Sequence, residues 1–373
     1  MNARRIRWVA AFLAVVFFGA AGAFIMASDG MNDAKSFDPG GPAPIPLAAL
    51  GDSDSHSFQD RVSFPQGSFK RGGPFRATTF QWIEILARLR GREVDPGPWG
   101  VWGTRGRIAT LQEWFGLKGR APRKEDYRHN FAISGAGCDT LMEGMSREAP
   151  RLLNLMDKDP LTWRRGVVVV RMGVNSFGLF ESLDLLARDS KAPPVLSEIG
   201  RCIEYIRAAV ALIHSRHPAT RFVLVGIFDN THWPCYFEHW QNPQAISNIS
   251  AGLDVFDQAL KAMVADDRRL AFFDDRAWFA ARWGGRNEEG KPAYKVVRVG
   301  SGLEVTNTLG DHPRNAVVAD GHAGTVFNFL WAQSLVALLN SAFDLRLTPI
   351  GDAEGAQFIG NPWDEEEKVA CGI

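Results

Sequence analysis

Four consecutive valines, Val167–Val170, constrain the fold of this chain more than any other feature of its sequence. β-Branched residues favour strands, and a run without polar alternation indicates a strand that is covered on both faces. Strands of this kind occur in parallel sheets, whose crossover helices pack on both sides. The run therefore predicts a layered α/β domain built around this strand.

Other apolar runs alternate with helical patterns on either side of these valines. Short strands are predicted at residues 46–50, 131–133, 222–225 and 270–273, and helices at residues 80–90, 199–213 and 325–339. In the second of these helices, the apolar residues step by four and three positions, which gives one apolar stripe. This order of elements predicts an α/β fold in layers with a mainly parallel sheet.

Composition and charge are those of an ordinary globular protein. Of the 373 residues, 46% are hydrophobic and 23% are charged, and Lys plus Arg equals Asp plus Glu at 42 each. A net charge of zero gives no electrostatic footprint for nucleic acid, so no nucleic-acid partner is expected. The glycine patterns at residues 135–137 and 285–291 lack residues that nucleotide-binding loops require, and no cysteine spacing fits a zinc site. We therefore expect no cofactor and no metal.

The first 27 residues have the layout of a segment that directs a chain to a membrane. Arg4, Arg5 and Arg7 precede an uncharged run from residue 8 to residue 27. A cleaved signal peptide and an uncleaved signal anchor both fit this layout, because a run of this length can span a bilayer. Either one leaves the rest of the chain outside the cytoplasm, where it is secreted, periplasmic or anchored to the membrane.

The rest of the chain divides by composition. Residues 28–45 are rich in Gly, Pro, Asp and Ser, which predicts a flexible linker. Residues 46–345 hold the α/β pattern, with an insertion around residues 284–310 that contains a predicted β-hairpin. Residues 346–373 are expected to form a tail that packs loosely on the surface.

Polar residues follow several of these strands, at the edge where a parallel sheet binds its ligands. Ser53 follows the first predicted strand on a tight turn, and a serine that attacks an ester needs a base and oxyanion donors. His322 supplies an imidazole, and Asp320 supplies a carboxylate that can orient it. The N–H groups of Ser53 and Gly135 and the amide of Asn175 are candidate oxyanion donors. Ser53, His322 and Asp320 are therefore the candidate catalytic triad.

The same segments resemble the motif blocks of the SGNH hydrolases, which are also called GDSL-like esterases. Leu50–Ser53 resembles the first block, Asn130–Gly135 the second, Gly173–Asn175 the third and Asp320–His322 the last. The resemblance extends from about residue 46 to about residue 340. It implies a flavodoxin-like three-layer α/β/α sandwich and a Ser-His-Asp triad without a metal. It also implies hydrolysis, or transfer, of acyl groups on small esters, lipids or carbohydrates.

Two positions depart from the pattern of that family. The family usually has Asp-x-x-His, whereas one residue separates Asp320 from His322, and Ala319 stands at the usual position of the Asp. Asp320 is the preferred triad acid, with Asp311 or a backbone carbonyl as substitutes. Ser176 stands where the third block normally continues with Asp. We expect no loss of activity from that change.

His56 is a second candidate for the base, because it lies three residues after Ser53. A histidine on the same turn is poorly placed to take the proton of Ser53. His322 is therefore the predicted base.

Cysteines are the last informative residue type. Cys138, Cys202, Cys235 and Cys371 allow three complete disulfide pairings in an oxidising compartment. The sequence does not select among these pairings, and buried free thiols are the alternative. The oligomeric state is equally open.

Together, the residues and the resemblance favour an extracytoplasmic serine esterase that forms an acyl-enzyme on Ser53. The expected substrate is a small ester or an acylated glycan, with acetyl as one candidate acyl group. An O-acyltransferase with the same site and a glycan-binding protein with a decayed site are the alternatives.

Overall fold

The computed structural model describes residues 43–300 and 302–360. The predicted signal or anchor segment, most of the predicted linker and the end of the predicted tail lie outside these residues. Strands β1 to β12 are Ile45–Gly51, Val94–Asp95, Trp99–Trp102, Lys124–Tyr127, Val167–Arg171, Arg221–Val225, Leu270–Phe273, Gly284–Arg286, Pro292–Tyr294, Val297–Val299, Leu303–Leu309 and Asn315–Val317. Helices α1 to α11 are Trp82–Leu89, Gly106–Trp114, Glu148–Met156, Pro160–Trp163, Val174–Phe177, Phe180–Arg188, Pro193–His214, Pro243–Asp266, Asp275–Trp283, Thr325–Phe343 and Asp352–Ile359.

A five-stranded parallel sheet forms the centre of the fold, in the order β2-β1-β5-β6-β7. Numbered within the sheet, this is the strand order 2-1-3-4-5 of flavodoxin-like folds. Helices α1 and α10 pack together in one layer, and α3, α7 and α8 pack together in the other. The predicted α/β fold is confirmed, as is the flavodoxin-like sandwich that the family resemblance implied.

The valine run forms β5, in the middle of this sheet. Val167–Val170 pair with Leu47–Leu50 on one side and with Arg221–Leu224 on the other. All four valines are at most 1% exposed. Burying a valine side chain in this way stabilises a fold by about 1.5 kcal/mol or more, so β5 anchors the core.

The second predicted strand, at residues 131–133, was wrong. The segment runs beside β1 and forms only an isolated bridge, between Ala49 and Asn130. Phe131 and Ile133 donate their N–H groups to the Ala49 and Gly51 carbonyls of β1, both at 2.8 Å, whereas side chains bind the backbone groups of Ala132 between them. Lys124 Nζ donates to the Ala132 carbonyl at 2.6 Å, and Asn130 Oδ1 accepts the Ala132 N–H at 3.1 Å. Such side-chain bonds compete with a regular ladder, and β2 forms the edge of the sheet instead.

The insertion and the tail have different outcomes. The predicted hairpin is present, because β10 and β11 pair antiparallel. The start of the tail packs more tightly than predicted, since Leu347 and Ile350 are each 3% exposed. Arg90, at the end of α1, binds both carboxylate oxygens of Glu354 at 2.6 and 2.7 Å. This ion pair holds α11 against the domain.

Helix α10 closes the layer that contains α1. Trp331 in this helix is fully buried and packs on Phe273 and Trp82, with ring centroids 4.6 and 5.2 Å apart. Among the described helices, α10 is long and apolar enough to cross a membrane. Its contacts with β7 and α1 account for that composition, because a core helix is apolar on most of its surface.

Candidate active site

Ser53 lies on the turn that follows β1, at the edge where the parallel strands end. The Asp52 carbonyl accepts the His56 N–H at 3.1 Å and closes the turn. A Cβ at Gly51 would lie 2.3 Å from the Arg171 carbonyl oxygen, so glycine is needed for this close approach of the backbones. The turn leaves Ser53 half-buried at the wall of a cleft.

Two buried carboxyls lie beneath this turn. Glu148 accepts the Gly51 N–H at 2.8 Å and the Thr140 hydroxyl at 2.9 Å. Burial and, to a lesser extent, the nearby charge of Asp54 raise the pKa of Asp52 to about 8. Burial likewise raises the pKa of Glu148 to about 8. Both groups are therefore largely uncharged at neutral pH, which suits a supporting role.

Arg71 joins the nucleophile turn to the second motif block. Its side chain is fully buried, and both terminal nitrogens donate to the Ser53 carbonyl at 3.3 Å. One of them also donates to Ser134 Oγ at 3.3 Å. The guanidinium packs against the rings of Phe58 and Phe64, with its carbon 4.9 and 4.7 Å from their centroids. Arg71 was not among the predicted site residues, because no short-range pattern connects it with Ser53 or Ser134.

His322 lies on the turn between β12 and α10. Its Nδ1 is 2.9 Å from Asp320 Oδ1, so an Nδ1–H can donate to that carboxylate and leave Nε2 free to accept a proton. Asp320 Oδ2 accepts the backbone N–H of Arg71 at 3.0 Å. The indole of Trp233 donates to the Gly321 carbonyl at 2.7 Å. These contacts hold the acid and the imidazole in one orientation.

Asp320, and not Asp311, is the carboxylate that contacts His322. Burial raises the pKa of Asp320, but the hydrogen bond with His322 and the Arg71 N–H outweigh burial and lower it to about 2. Asp311 instead accepts the Ala319 N–H at 2.8 Å, which supports the same turn from behind. The Asp-x-His spacing is therefore compatible with an acid–imidazole pair.

The candidate oxyanion donors lie on three segments: Ser53 on the nucleophile turn, Gly135 on the loop of the second block and Asn175 at the start of α5. Gly135 has a φ of +81°, a left-handed conformation that favours glycine. Neither its N–H nor that of Ser53 donates a hydrogen bond to another described residue. Asn175, in α5, uses its amide to donate to the Ala136 carbonyl at 3.0 Å, which leaves a second N–H on the same nitrogen.

A hydrogen bond joins α5 to the segment that follows Gly135, and a disulfide joins that segment to α7. Ser176, which replaces the family's Asp, accepts the Cys138 N–H at 3.0 Å. Cys138 also forms a disulfide with Cys202 in α7, which selects one of the pairings that the sequence left open. Cys235 is free and exposed, and Cys371 lies outside the described residues. The disulfide and Ser176 thus brace the loops that carry Gly135 and Asn175.

His56 is placed for support and not for proton transfer from Ser53. It is 1% exposed, and its Nε2 lies 2.8 Å from Asp60 Oδ2. Its Nδ1 accepts the Ser134 N–H at 3.0 Å. Burial and the nearby charge of Lys124 lower its pKa to about 4. With both ring nitrogens engaged, His56 fixes the second block against the nucleophile turn.

Four of the five predicted site residues line one cavity of about 280 Å³: Ser53, Asn175, Asp320 and His322. Gly135 is exposed on the adjoining turn and does not line the cavity. The rest of the wall is largely apolar and includes Val174, Leu179, Phe180, Phe228, Trp233, Tyr236 and Phe327. The arrangement combines a hydroxyl, an oriented imidazole and amide donors beside an apolar pocket.

No family model and no curated protein matches this sequence. Among solved structures, the chain is similar to an extracellular lipase from Streptomyces rimosus, with 16% identity, a TM-score of 0.33 and coverage of 66% of this chain and 86% of that one. It is similar to the lipase Lip_vut3 from a goat rumen metagenome, with 13% identity, a TM-score of 0.40 and coverage of 79% and 97%. It is also similar to phospholipase A1 from Streptomyces albidoflavus, with 12% identity, a TM-score of 0.34 and coverage of 79% and 100%.

Likenesses at these identities and TM-scores carry no conclusion about the activity of this chain. The strand order of the sheet is flavodoxin-like. The first, third and last motif blocks each contribute a side chain to one cavity. Fold and site layout thus agree with the sequence resemblance to the SGNH hydrolases.

Proposed function

We propose that this chain is an extracytoplasmic serine esterase that hydrolyses carboxylic esters through an acyl-enzyme on Ser53. The observation that carries the proposal is the shared cavity of Ser53, Asn175 and the Asp320–His322 pair. Oriented imidazole, hydroxyl and amide donors at one cleft are the parts that acyl transfer requires.

In the proposed first step, Ser53 Oγ attacks the ester carbonyl while His322 Nε2 takes its proton. Asp320 holds the imidazole by Nδ1 and stabilises the positive charge that develops on the ring. The carbon–oxygen bond of the ester then breaks, and His322 returns the proton to the leaving alcohol. Water repeats the sequence on the acyl-enzyme and releases the carboxylic acid and Ser53.

Three N–H groups would stabilise the negative oxygen formed in each step. The backbone N–H groups of Ser53 and Gly135 and the remaining amide N–H of Asn175 are candidates, because other described residues leave them available. Loss of one such donor typically slows acyl transfer by about 10²–10³-fold.

The wall of the cavity supports a substrate with an apolar or ring-shaped part. Phe180 is 39% exposed at the cavity, and its ring centroid lies 4.2 Å from that of Tyr236. A sugar ring can stack on such a partly exposed aromatic surface, which favours an acylated glycan with a short acyl group such as acetyl. The location outside the cytoplasm follows from the uncharged run at residues 8–27, which we propose as a signal or single membrane anchor.

Hydrolysis of p-nitrophenyl acetate by the full chain tests the nucleophile and the base. We expect Ser53→Ala and His322→Ala each to reduce kcat by up to about 10⁶-fold, the loss typical of a triad member. Cys235→Ser is the matched control, since it removes the free thiol that also lines the cavity, and it should retain the activity. Full activity in Ser53→Ala, or loss in Cys235→Ser alone, would contradict the proposal.

The same preparation separates hydrolysis from transfer. With an acetyl donor and a glycan supplied together, an esterase releases acetate and leaves the glycan unmodified. Acetylated glycan as the main product, still dependent on Ser53, would assign the site to an O-acyltransferase.

A further inference from the structure

Helix α2 presents an apolar face to solvent. Of its nine residues only Ala109 is buried. The side chains that point outward are Ile108 (48% exposed), Leu111 (51%) and Trp114 (81%), followed by Phe115 (71%) and Leu117 (61%). We call these five residues the α2 apolar face. Soluble proteins rarely expose apolar side chains in such a contiguous group unless the group binds something.

The charges around this face are positive. Arg105, Arg107 and Lys118, which lie in α2 or close to its ends along the chain, are exposed, as is Arg123 farther along. The acid in residues 99–123 is Glu113, and Arg147 and Arg151 bind its carboxylate. Exposed aromatic and aliphatic side chains flanked by Arg and Lys are typical of helices that lie in the interface of an anionic bilayer.

The end of α2 lies at the edge of the sheet where the chain enters the domain. Lys118 Nζ donates to the Asn154 carbonyl at 3.3 Å and lies 4.0 Å from Asp157, just before the turn that leads into β5. Arg165, which follows the one-turn helix α4 just after Asp157, binds the carbonyl of Ala43, immediately before β1. The linker therefore enters the domain on the side that carries Lys118.

A short linker would keep this face close to a membrane. Residues 28–42 can span at most about 50 Å, whatever their conformation, because each residue adds at most about 3.5 Å to the length of the chain. If residues 8–27 lie in a bilayer, as proposed above, contact between the domain and that bilayer is effectively intramolecular. Even a weak contact is then populated, because the local concentration is high.

We propose that the α2 apolar face docks on the surface of an anionic lipid bilayer, the one that holds residues 8–27. The aromatic rings enter the boundary between headgroups and acyl chains, and the surrounding cations lie among the anionic headgroups. This inference rests on the proposed membrane anchor and not on the esterase activity. Since the cavity lies at the opposite edge of the sheet, its substrate approaches from the aqueous side.

Hydrogen–deuterium exchange on the full chain in lipid vesicles tests the docking. The protein is reconstituted in phosphatidylcholine vesicles with and without phosphatidylglycerol, and the amides of residues 106–118 are followed by mass spectrometry. We expect phosphatidylglycerol to slow their exchange by about tenfold, which corresponds to a modest docking free energy. Exchange around Leu179, which is 41% exposed at the cavity on the opposite edge of the sheet, should not change.

The double variant Trp114→Ser/Phe115→Ser is the matched comparison. Both side chains are exposed, so the variant should fold and hydrolyse a soluble ester as the parent does, yet lose the dependence of exchange on phosphatidylglycerol. The same dependence in the parent and the variant, or none in either, would overturn the proposal. Slowing in native membranes but not in lipid vesicles would overturn it in favour of a protein partner. A chain that does not float with vesicles refutes the membrane anchor and the docking together.

Discussion

The two sides of the cavity hold their carboxylates in opposite states. On the nucleophile side, burial raises the pKa of Asp52 to about 8, with a further contribution from Asp54. On the acid–base side, burial also raises the pKa of Asp320, but His322 and the Arg71 N–H outweigh it and lower the value to about 2. An aspartate is therefore an uncharged support on the nucleophile side and a charged group that orients the imidazole on the acid–base side.

The difference follows from where each side is built. Asp52 is 1% exposed at the end of a central strand, and its Oδ2 has no hydrogen-bond partner among the described residues. The side chain of Asp320 is 21% exposed on a surface turn, where it accepts from the Arg71 N–H and from both the backbone N–H and Nδ1 of His322. A buried, uncharged Asp52 carboxyl can help to hold the Ser53 turn in place, whereas proton transfer needs an ionised partner for the imidazole.

The largest effect should come from removing the charge on the acid–base side. We expect Asp320→Asn to lower kcat by about 10⁴-fold, because the amide no longer stabilises the imidazolium or selects its tautomer. Asp311→Asn is the matched control and should cost less than about tenfold, since Asp311 contacts the turn and not the imidazole. Rates on p-nitrophenyl acetate decide between them. Equal losses of kcat in Asp320→Asn and Asp311→Asn would contradict the assignment of Asp320 as the carboxylate that orients His322.

Removing an oxyanion donor should have the next largest effect. Asn175→Ala is expected to lower kcat by about 10²–10³-fold with little change in KM, because its free N–H acts on charge that forms only in the transition state. Ser176→Ala removes the neighbouring contact with the Cys138 N–H and serves as a structural comparison. A rise in KM with kcat unchanged in Asn175→Ala would instead assign Asn175 to ground-state binding.

Arg71 contacts both sides, and its removal should have a smaller effect. Arg71→Met loses the donors to the Ser53 carbonyl and Ser134 while keeping the backbone N–H to Asp320. Hydrogen bonds from charged groups contribute about 1.5–3 kcal/mol, so we expect kcat/KM to fall by about 10- to 100-fold. Loss of the Arg71 charge should also raise the pKa of Asp320, because that charge is one of the groups that lower it, and a carboxyl ¹³C NMR titration measures the shift.

A purely structural role for Arg71 predicts a different result. In that case Arg71→Met would lower the melting temperature and leave the pKa of Asp320 unchanged. Arg71→Lys, which restores the charge with a single donor group, should recover the low pKa of Asp320 even where the rate stays low.

The smallest effect concerns stability on the nucleophile side. Between pH 4 and 8 the folded chain keeps Asp52 protonated while the unfolded chain ionises it, so this group makes the free energy of unfolding fall as pH rises. The slope from one group is at most about 1.4 kcal/mol per pH unit. Asp52→Asn should reduce the slope of the free energy of unfolding against pH by up to that amount, and Glu148→Gln by a similar amount. Urea unfolding at several pH values measures both. An unchanged slope in Asp52→Asn would mean that Asp52 is ionised in the fold.

Much of the fold could be predicted from the sequence because the signals are local. The valine run, the helical stripes and the polar residues after each strand lie within a few positions of one another, and periodicity encodes them directly. The residues after the strands could also be assigned to one site, since parallel strands end at the same edge. The error at residues 131–133 came from the same rule, because an apolar tripeptide gives no hint that Lys124 and Asn130 will bind the backbone of Ala132.

The sequence by itself determined the layered fold and the segments that meet at the cavity, because both depend on short-range patterns. Only the tertiary structure decided which partners those segments take. Arg71 binds Asp320 across 249 positions, Cys138 pairs with Cys202 and not with Cys235, and Asp320 rather than Asp311 contacts His322. Each of these choices depends on how whole elements pack, since a distant side chain is selected by position in space and not by spacing along the chain.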